Sequence, residues 1–235
     1  MNEEEIKQKA EEYARVHRNH IAKELTSTSV YTPETIPTSV FMAGSPGAGK
    51  TELSKRLIEI LEQQNERKVV RIDGDELRSL MPGYTGKNSY LFQTAISLIV
   101  ERMHDMVLDH KQTFLLDGTF SHYNKAASNI QRSLSKGRPV LIFYVYQKPE
   151  VAWKFTQARE VAEGRHVPKE AFIKQFIDSQ NTISEIHATF TNKVLIYLVK
   201  KNFETHAVEE IIRVTTTIDH YVGERYTGED LEKLL

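Results

Sequence analysis

Residues 44–51 read Gly44-Ser45-Pro46-Gly47-Ala48-Gly49-Lys50-Thr51. Every fixed position of the phosphate-loop pattern G-x-x-x-x-G-K-[ST] is filled. The pattern has a mechanism. Glycines reach backbone angles closed to other residues, so the loop can curl around an anion and aim its N–H groups inward. Lys50 then reaches the β- and γ-phosphates, and the Thr51 hydroxyl is a ligand for Mg²⁺. The flanks agree. Ser39-Val40-Phe41-Met42-Ala43 before the loop reads as a strand, and residues 52–61 after it carry apolar residues at helical spacing. A helix starting there adds its positive end to the phosphate site.

Working outward, the pattern becomes one of alternating strands and helices. Strands are expected at 38–43, 68–72, 112–116, 139–146 and 193–199, mostly as continuous apolar runs that suit parallel strands covered on both faces. Helices are expected at 50–64, 88–110, 122–136, 149–163, 168–190 and 205–220. The fold class is therefore α/β: a P-loop kinase-like, parallel five-stranded sheet with helices on both faces. An N-terminal helix over residues 3–25 precedes it. Ile6, Ala10, Tyr13, His17, Ile21 and Leu25 form one stripe, either packed on the main domain or offered to a partner. The expected division is a helix and linker at 1–35 and a kinase domain at 36–235, with a lid near 159–170.

Composition bounds the function. A chain of 235 residues with 40% hydrophobic residues can bury a real core, and the formal net charge of −1 gives no pull toward nucleic acid or an anionic membrane. The absence of cysteine excludes disulfides, thiol catalysis and cysteine-bound metals. No apolar run approaches the roughly 20 residues of a membrane span. The acidic start Met1-Asn2-Glu3-Glu4-Glu5 lacks the order of a signal peptide, so a cytoplasmic location is expected.

Ligands of such sheets bind at the carboxyl ends of the strands, so chemical residues should follow strands. Asp73-Gly74-Asp75 follows the second strand. Asp75, further into the loop, can take the proton of an attacking hydroxyl, while Asp73 either faces substrate or caps the next turn. Leu115-Leu116-Asp117-Gly118-Thr119 follows the third. Asp117 resembles the carboxylate that helps hold the Mg²⁺ shell, and Thr119 offers a hydroxyl. Arg159 and Arg165 flank a Gly164 break between two helices. They read either as lid cations for the transferring phosphate or as solvated helix faces. Among nine histidines only His166 adjoins this chemistry, and none is spaced for zinc.

Taken together, the phosphate loop with its internal proline, Ile72-Asp73-Gly74-Asp75 with Pro82 and Tyr84 downstream, Leu116-Asp117-Gly118-Thr119, and Arg159 followed by Gly164-Arg165 resemble the zeta toxin family of P-loop kinases. The resemblance spans roughly residues 36–200. It implies transfer of the ATP or GTP γ-phosphate to a sugar hydroxyl of UDP-N-acetylglucosamine. It implies nucleotide and Mg²⁺ at Lys50 and Thr51, Asp75 as catalytic base, Thr119 as a substrate contact, and Arg159 and Arg165 on the transferring phosphate. An antitoxin protein is a candidate partner. Two departures stand out. Asp117 occupies a position where the family usually carries Glu, which helps seat the sugar, and the two arginines are closely spaced. Other acceptors (a different nucleotide or a nucleic-acid end) and a nucleotide-dependent switch stay open.

Overall fold

The computed structural model describes residues 2–235 except Arg165, residues 203–207 and Glu224, and omits the side chains of Asn65 and Glu163. A first helix, α1 (Glu3–Leu25), leads into β1 (Ser39–Ala43), α2 (Lys50–Asn65), β2 (Val70–Asp73) and the short α3 (Gly74–Leu77). Then come α4 (Gln93–Asp109), β3 (Phe114–Asp117), α5 (Tyr123–Ser135), β4 (Val140–Tyr146), α6 (Pro149–Glu163), α7 (Lys169–Thr189) and β5 (Leu195–Lys201). The chain ends with β6 (Val208–Arg213), α8 (Ile218–Val222) and α9 (Gly228–Leu234). The strands form one sheet in the order β2-β3-β1-β4-β5-β6, parallel except for β6, which pairs antiparallel with β5.

The continuous apolar runs are explained by burial on both faces. Along β1, Val40 and Met42 pack with Leu53, Leu115, Val145 and Val199 on one face. Phe41 and Ala43 point the other way, into the larger core with Ile99, Phe114, Ile142 and Leu198. Successive residues of a strand alternate faces, so a strand covered twice must be apolar throughout. Each large side chain taken fully out of water contributes about 1.5–3 kcal/mol. Phe41 is one of these, edge-on to Phe114 with ring centroids 5.7 Å apart.

The stripe on α1 faces inward. Ala10, Ala14, Ile21 and Ala22 are buried and join the larger core. Small residues at that seam let α1 lie close against α4. The loop that follows is tied by Gln112, whose Nε2 donates to the carbonyls of Thr26 (2.9 Å) and Tyr31 (2.7 Å).

Three expectations are corrected. The sheet has six strands, not five, and residues 205–220 do not form one helix. Their described part holds β6, a bend and the five-residue α8. The sequence Val208-Glu209-Glu210-Ile211-Ile212-Arg213 mixes charged and β-branched residues, and both patterns can be drawn through it. Val199↔Ile211 and Leu198↔Ile212 pairing on β5 decides for the strand. The helix expected at 88–110 also starts later, because Ser89–Phe92 form a 3₁₀ turn before α4.

Candidate active site

The phosphate loop bridges β1 and α2, as its sequence requires. Gly44, Gly47 and Gly49 have φ of +135°, +71° and +86°. Gly47 is forced twice over. A Cβ there would lie 2.0 Å from the Ala152 carbonyl oxygen of α6 and 2.7 Å from Thr156 Oγ1, so the loop and α6 touch backbone to backbone. Lys50 curls over its own loop, donating to the carbonyls of Gly44 (3.0 Å) and Ser45 (2.7 Å). That holds its ammonium at the loop mouth.

At the neighbouring strand ends the carboxylates gather. Asp73 and Asp117 sit side by side at the ends of β2 and β3, in register. Between them lies Arg71, whose Nη2 donates to Asp73 Oδ2 (2.6 Å) and Asp117 Oδ2 (3.0 Å) and whose Nη1 pairs with Glu76. Ser54 of α2 donates to the same Asp117 oxygen at 2.8 Å, which couples the helix after the phosphate loop to β3. Burial raises Asp73 to a pKa of about 6, the charges of Asp117 and Asp75 add to this, and Arg71 and the Asp75 N–H oppose it.

Asp73 also accepts from the Asp75 N–H at 2.8 Å and so caps α3. The capping alternative is therefore present in the structure, with Asp75 in the first turn of α3. Asp75 pairs with Arg78 one turn later, and Arg78 donates onward to Gln93 at 2.9 Å. Thr119 follows β3. Its carbonyl accepts from Gly44 N–H (3.1 Å), and its hydroxyl bonds Ser121 (3.0 Å).

All of this opens on one cavity of about 1040 Å³. Its walls include Pro46 to Thr51, Asp73, Asp75, Arg78, Asp117, Thr119 and Arg159. Gly44 and Ser45 form the base of the loop, with Ser45 buried. Arg165 lies outside the described residues. His166 lines the cavity and bonds Glu160 at 2.7 Å. The structure thus brings Lys50, Thr51, Asp73, Asp75, Asp117, Thr119 and Arg159 together around this cavity.

Several lining or supporting residues were not singled out. Arg71 could have been noticed as a charge inside the apolar run Val69-Val70-Arg71-Ile72. Ser54, Arg78 and Lys201 carry no local signal, since each is an ordinary polar residue until the fold places it.

A three-layered, mostly parallel sheet with the phosphate loop after β1 is a P-loop kinase-like fold. The zeta toxin family model matches residues 21–210, and the chain belongs to that family. Solved structures with similar folds include one from the PezAT chromosomal toxin-antitoxin system of the human pathogen Streptococcus pneumoniae. It is 18% identical, with 94% of this chain and 91% of that one covered and a TM-score of 0.65. Another is the AvrRxo1-ORF1:AvrRxo1-ORF2 complex with sulphate ions, at 17% identity, 89% and 66% coverage and a TM-score of 0.60. At these identities the likeness is one of fold. No curated protein matches the chain closely enough to serve as a relative. Among the described residues no helix is long and apolar enough to cross a membrane.

Proposed function

We propose that this chain is a kinase that moves the γ-phosphate of ATP or GTP to a hydroxyl of a nucleotide sugar, UDP-N-acetylglucosamine being the acceptor that family membership favours. The observation that carries the reading is the convergence of phosphate loop, carboxylates and Arg159 on one cavity. A nucleotide switch would need the loop but not a proton acceptor beside an open pocket. One of the AvrRxo1 complexes was solved with ATP, which supports ATP as donor.

In this reading Lys50 and the loop N–H groups hold the β- and γ-phosphates. Asp75 accepts the proton of the acceptor hydroxyl. The acceptor oxygen forms a bond to γ-phosphorus as the bond to the β–γ bridging oxygen breaks, and nucleoside diphosphate leaves with that electron pair. Arg78 holds the Asp75 carboxylate in place. Arg159, and Arg165 with it, supply positive charge over the transferring group from a lid near 159–170. Asp73 and Thr119 face the acceptor.

Hard oxygen donors, the Thr51 hydroxyl and the Asp117 carboxylate, suit Mg²⁺, and a nearby cation would also ease the like charges of Asp117 and Asp75 that add to the effect of burial on Asp73. When bound, Mg²⁺ would neutralise phosphate charge as it develops. An antitoxin is the proposed protein partner, in keeping with the family and with the toxin-antitoxin system that holds the PezAT structure.

The test is to incubate purified protein with ATP, Mg²⁺ and a panel of UDP-sugars, and to read products by mass spectrometry. A phosphate-sized mass gain on one UDP-sugar is expected. ATP turnover indifferent to every UDP-sugar would overturn the nucleotide-sugar acceptor, and turnover that no hydroxylated acceptor in a wider metabolite extract stimulates would overturn the kinase reading.

A further inference from the structure

Lys201, the last residue of β5, is only 7% exposed although it carries a charged side chain. It lines the same cavity as the phosphate loop. It lies against the loop itself: a Cβ placed on Gly49 would be 3.1 Å from Lys201 Cε and 3.3 Å from its Nζ. Burial lowers its pKa, and the neighbouring Glu52 carboxylate opposes this. Glu52 Oε2 is 3.6 Å from the same point on Gly49. Two lysines from different elements thus converge on one loop, Lys50 from α2 and Lys201 from β5.

The sheet order says which part of the donor each would meet. Across the sheet run β2 with Asp73, β3 with Asp117, β1 with the phosphate loop, then β4 and β5 with Lys201. The transferring phosphate must face Asp75 and Asp117, on the β2–β3 side. The rest of the donor must therefore extend toward β4 and β5. An ammonium there faces the portion that becomes the leaving nucleoside diphosphate, where negative charge grows as the bridging bond breaks. A lysine that gives up water for a fixed place beside an anion site returns more per contact than one in solvent.

We infer that Lys201 is a positioning residue for the donor nucleotide, holding the diphosphate portion from the β5 side of the loop, where the diphosphate competes with the Glu52 carboxylate for its ammonium. The inference rests on the kinase reading above in needing a nucleotide at the loop with its transferring phosphate toward Asp75 and Asp117. It does not depend on the acceptor.

The experiment is calorimetric titration of wild type and Lys201→Met with Mg²⁺-ADP and with a non-hydrolysable Mg²⁺-ATP analogue, with a thermal melt of each protein. Expected is a loss of about tenfold or more for both nucleotides, by similar factors, since both contain the diphosphate. An unchanged affinity in folded Lys201→Met overturns the inference, and so does a loss confined to the triphosphate. Should Lys201→Met not fold, Glu52→Gln at an exposed position carries the test. It removes the competing carboxylate and should tighten ADP several-fold, and unchanged or weaker ADP binding overturns the inference. Wild type that binds neither nucleotide overturns the kinase reading along with it, whereas wild-type binding with indifferent variants sinks only the role of Lys201.

Discussion

Arg71 is the residue whose removal should be felt most widely, although it touches no expected ligand. Its guanidinium serves Asp73 and Asp117 together, and those side chains are only 8% and 6% exposed. Arg71→Met keeps much of the bulk but leaves two buried carboxylates facing each other. Removing one partner of a buried ion pair costs about 3–5 kcal/mol, a large share of the roughly 5–15 kcal/mol that holds a domain folded. The effect must depend on pH. Asp73 is already raised from 3.8 to about 6, mainly by burial, and Arg71 is the charge pulling it down. An acid whose folded pKa exceeds its unfolded value binds the extra proton in the folded state. Its contribution to stability therefore falls as pH rises from about 4 to the folded pKa. In wild type that window closes near 6. In Arg71→Met it extends higher, so the variant loses up to about 1.4 kcal/mol more per pH unit above 6. Urea unfolding at pH 5.5 and pH 8 measures this. The destabilisation should be about 3–5 kcal/mol at pH 8 and at least about 1 kcal/mol smaller at pH 5.5. A loss below about 1 kcal/mol at pH 8, or one equal at both pH values, would refute the clamp.

Other outcomes follow from the same geometry. Lys50→Ala should fold normally and lose on the order of 100-fold or more in transfer rate, as when one preorganised electrostatic contact is removed; near wild-type turnover would sink the phosphate-cradle reading. Asp75→Asn should lower the rate constant while leaving ATP affinity nearly unchanged, and an affinity that collapses with the rate would place Asp75 in the Mg²⁺ shell instead. Gly47→Ala puts a Cβ 2.0 Å from the Ala152 carbonyl at a φ of +71°, so a loss of about 2–4 kcal/mol is expected in denaturant unfolding; wild-type stability would mean that the loop and α6 separate easily. Asp117→Glu should preserve or improve use of UDP-N-acetylglucosamine if that sugar is the acceptor, and a wild type and variant that both ignore every UDP-sugar would remove that assignment.

The sequence by itself determined the phosphate loop, the five parallel strands and the positions where chemistry could sit. Those features are local: a loop that needs glycines, runs that need two apolar faces, and carboxylates that follow strands can be read from neighbours along the chain. What only the tertiary structure decided depends on partners far apart in sequence. Residues 208–213 became a strand because β5 offered an edge, although their mixture of charged and apolar residues permits a helix. Asp73 became a carboxylate of raised pKa chiefly because the sheet buries it, and the register of β2 with β3 adds the charge of Asp117 beside it. Arg71 became a clamp between them, and Lys201 was carried from near the far end of the chain to within a few ångströms of Gly49. A buried charge draws its meaning from what surrounds it, because desolvation and Coulomb terms act through space rather than along the backbone. Sequence spacing could name the carboxylates and the loop lysine, but the groups that hold them in place became visible only when the sheet brought its strand ends together.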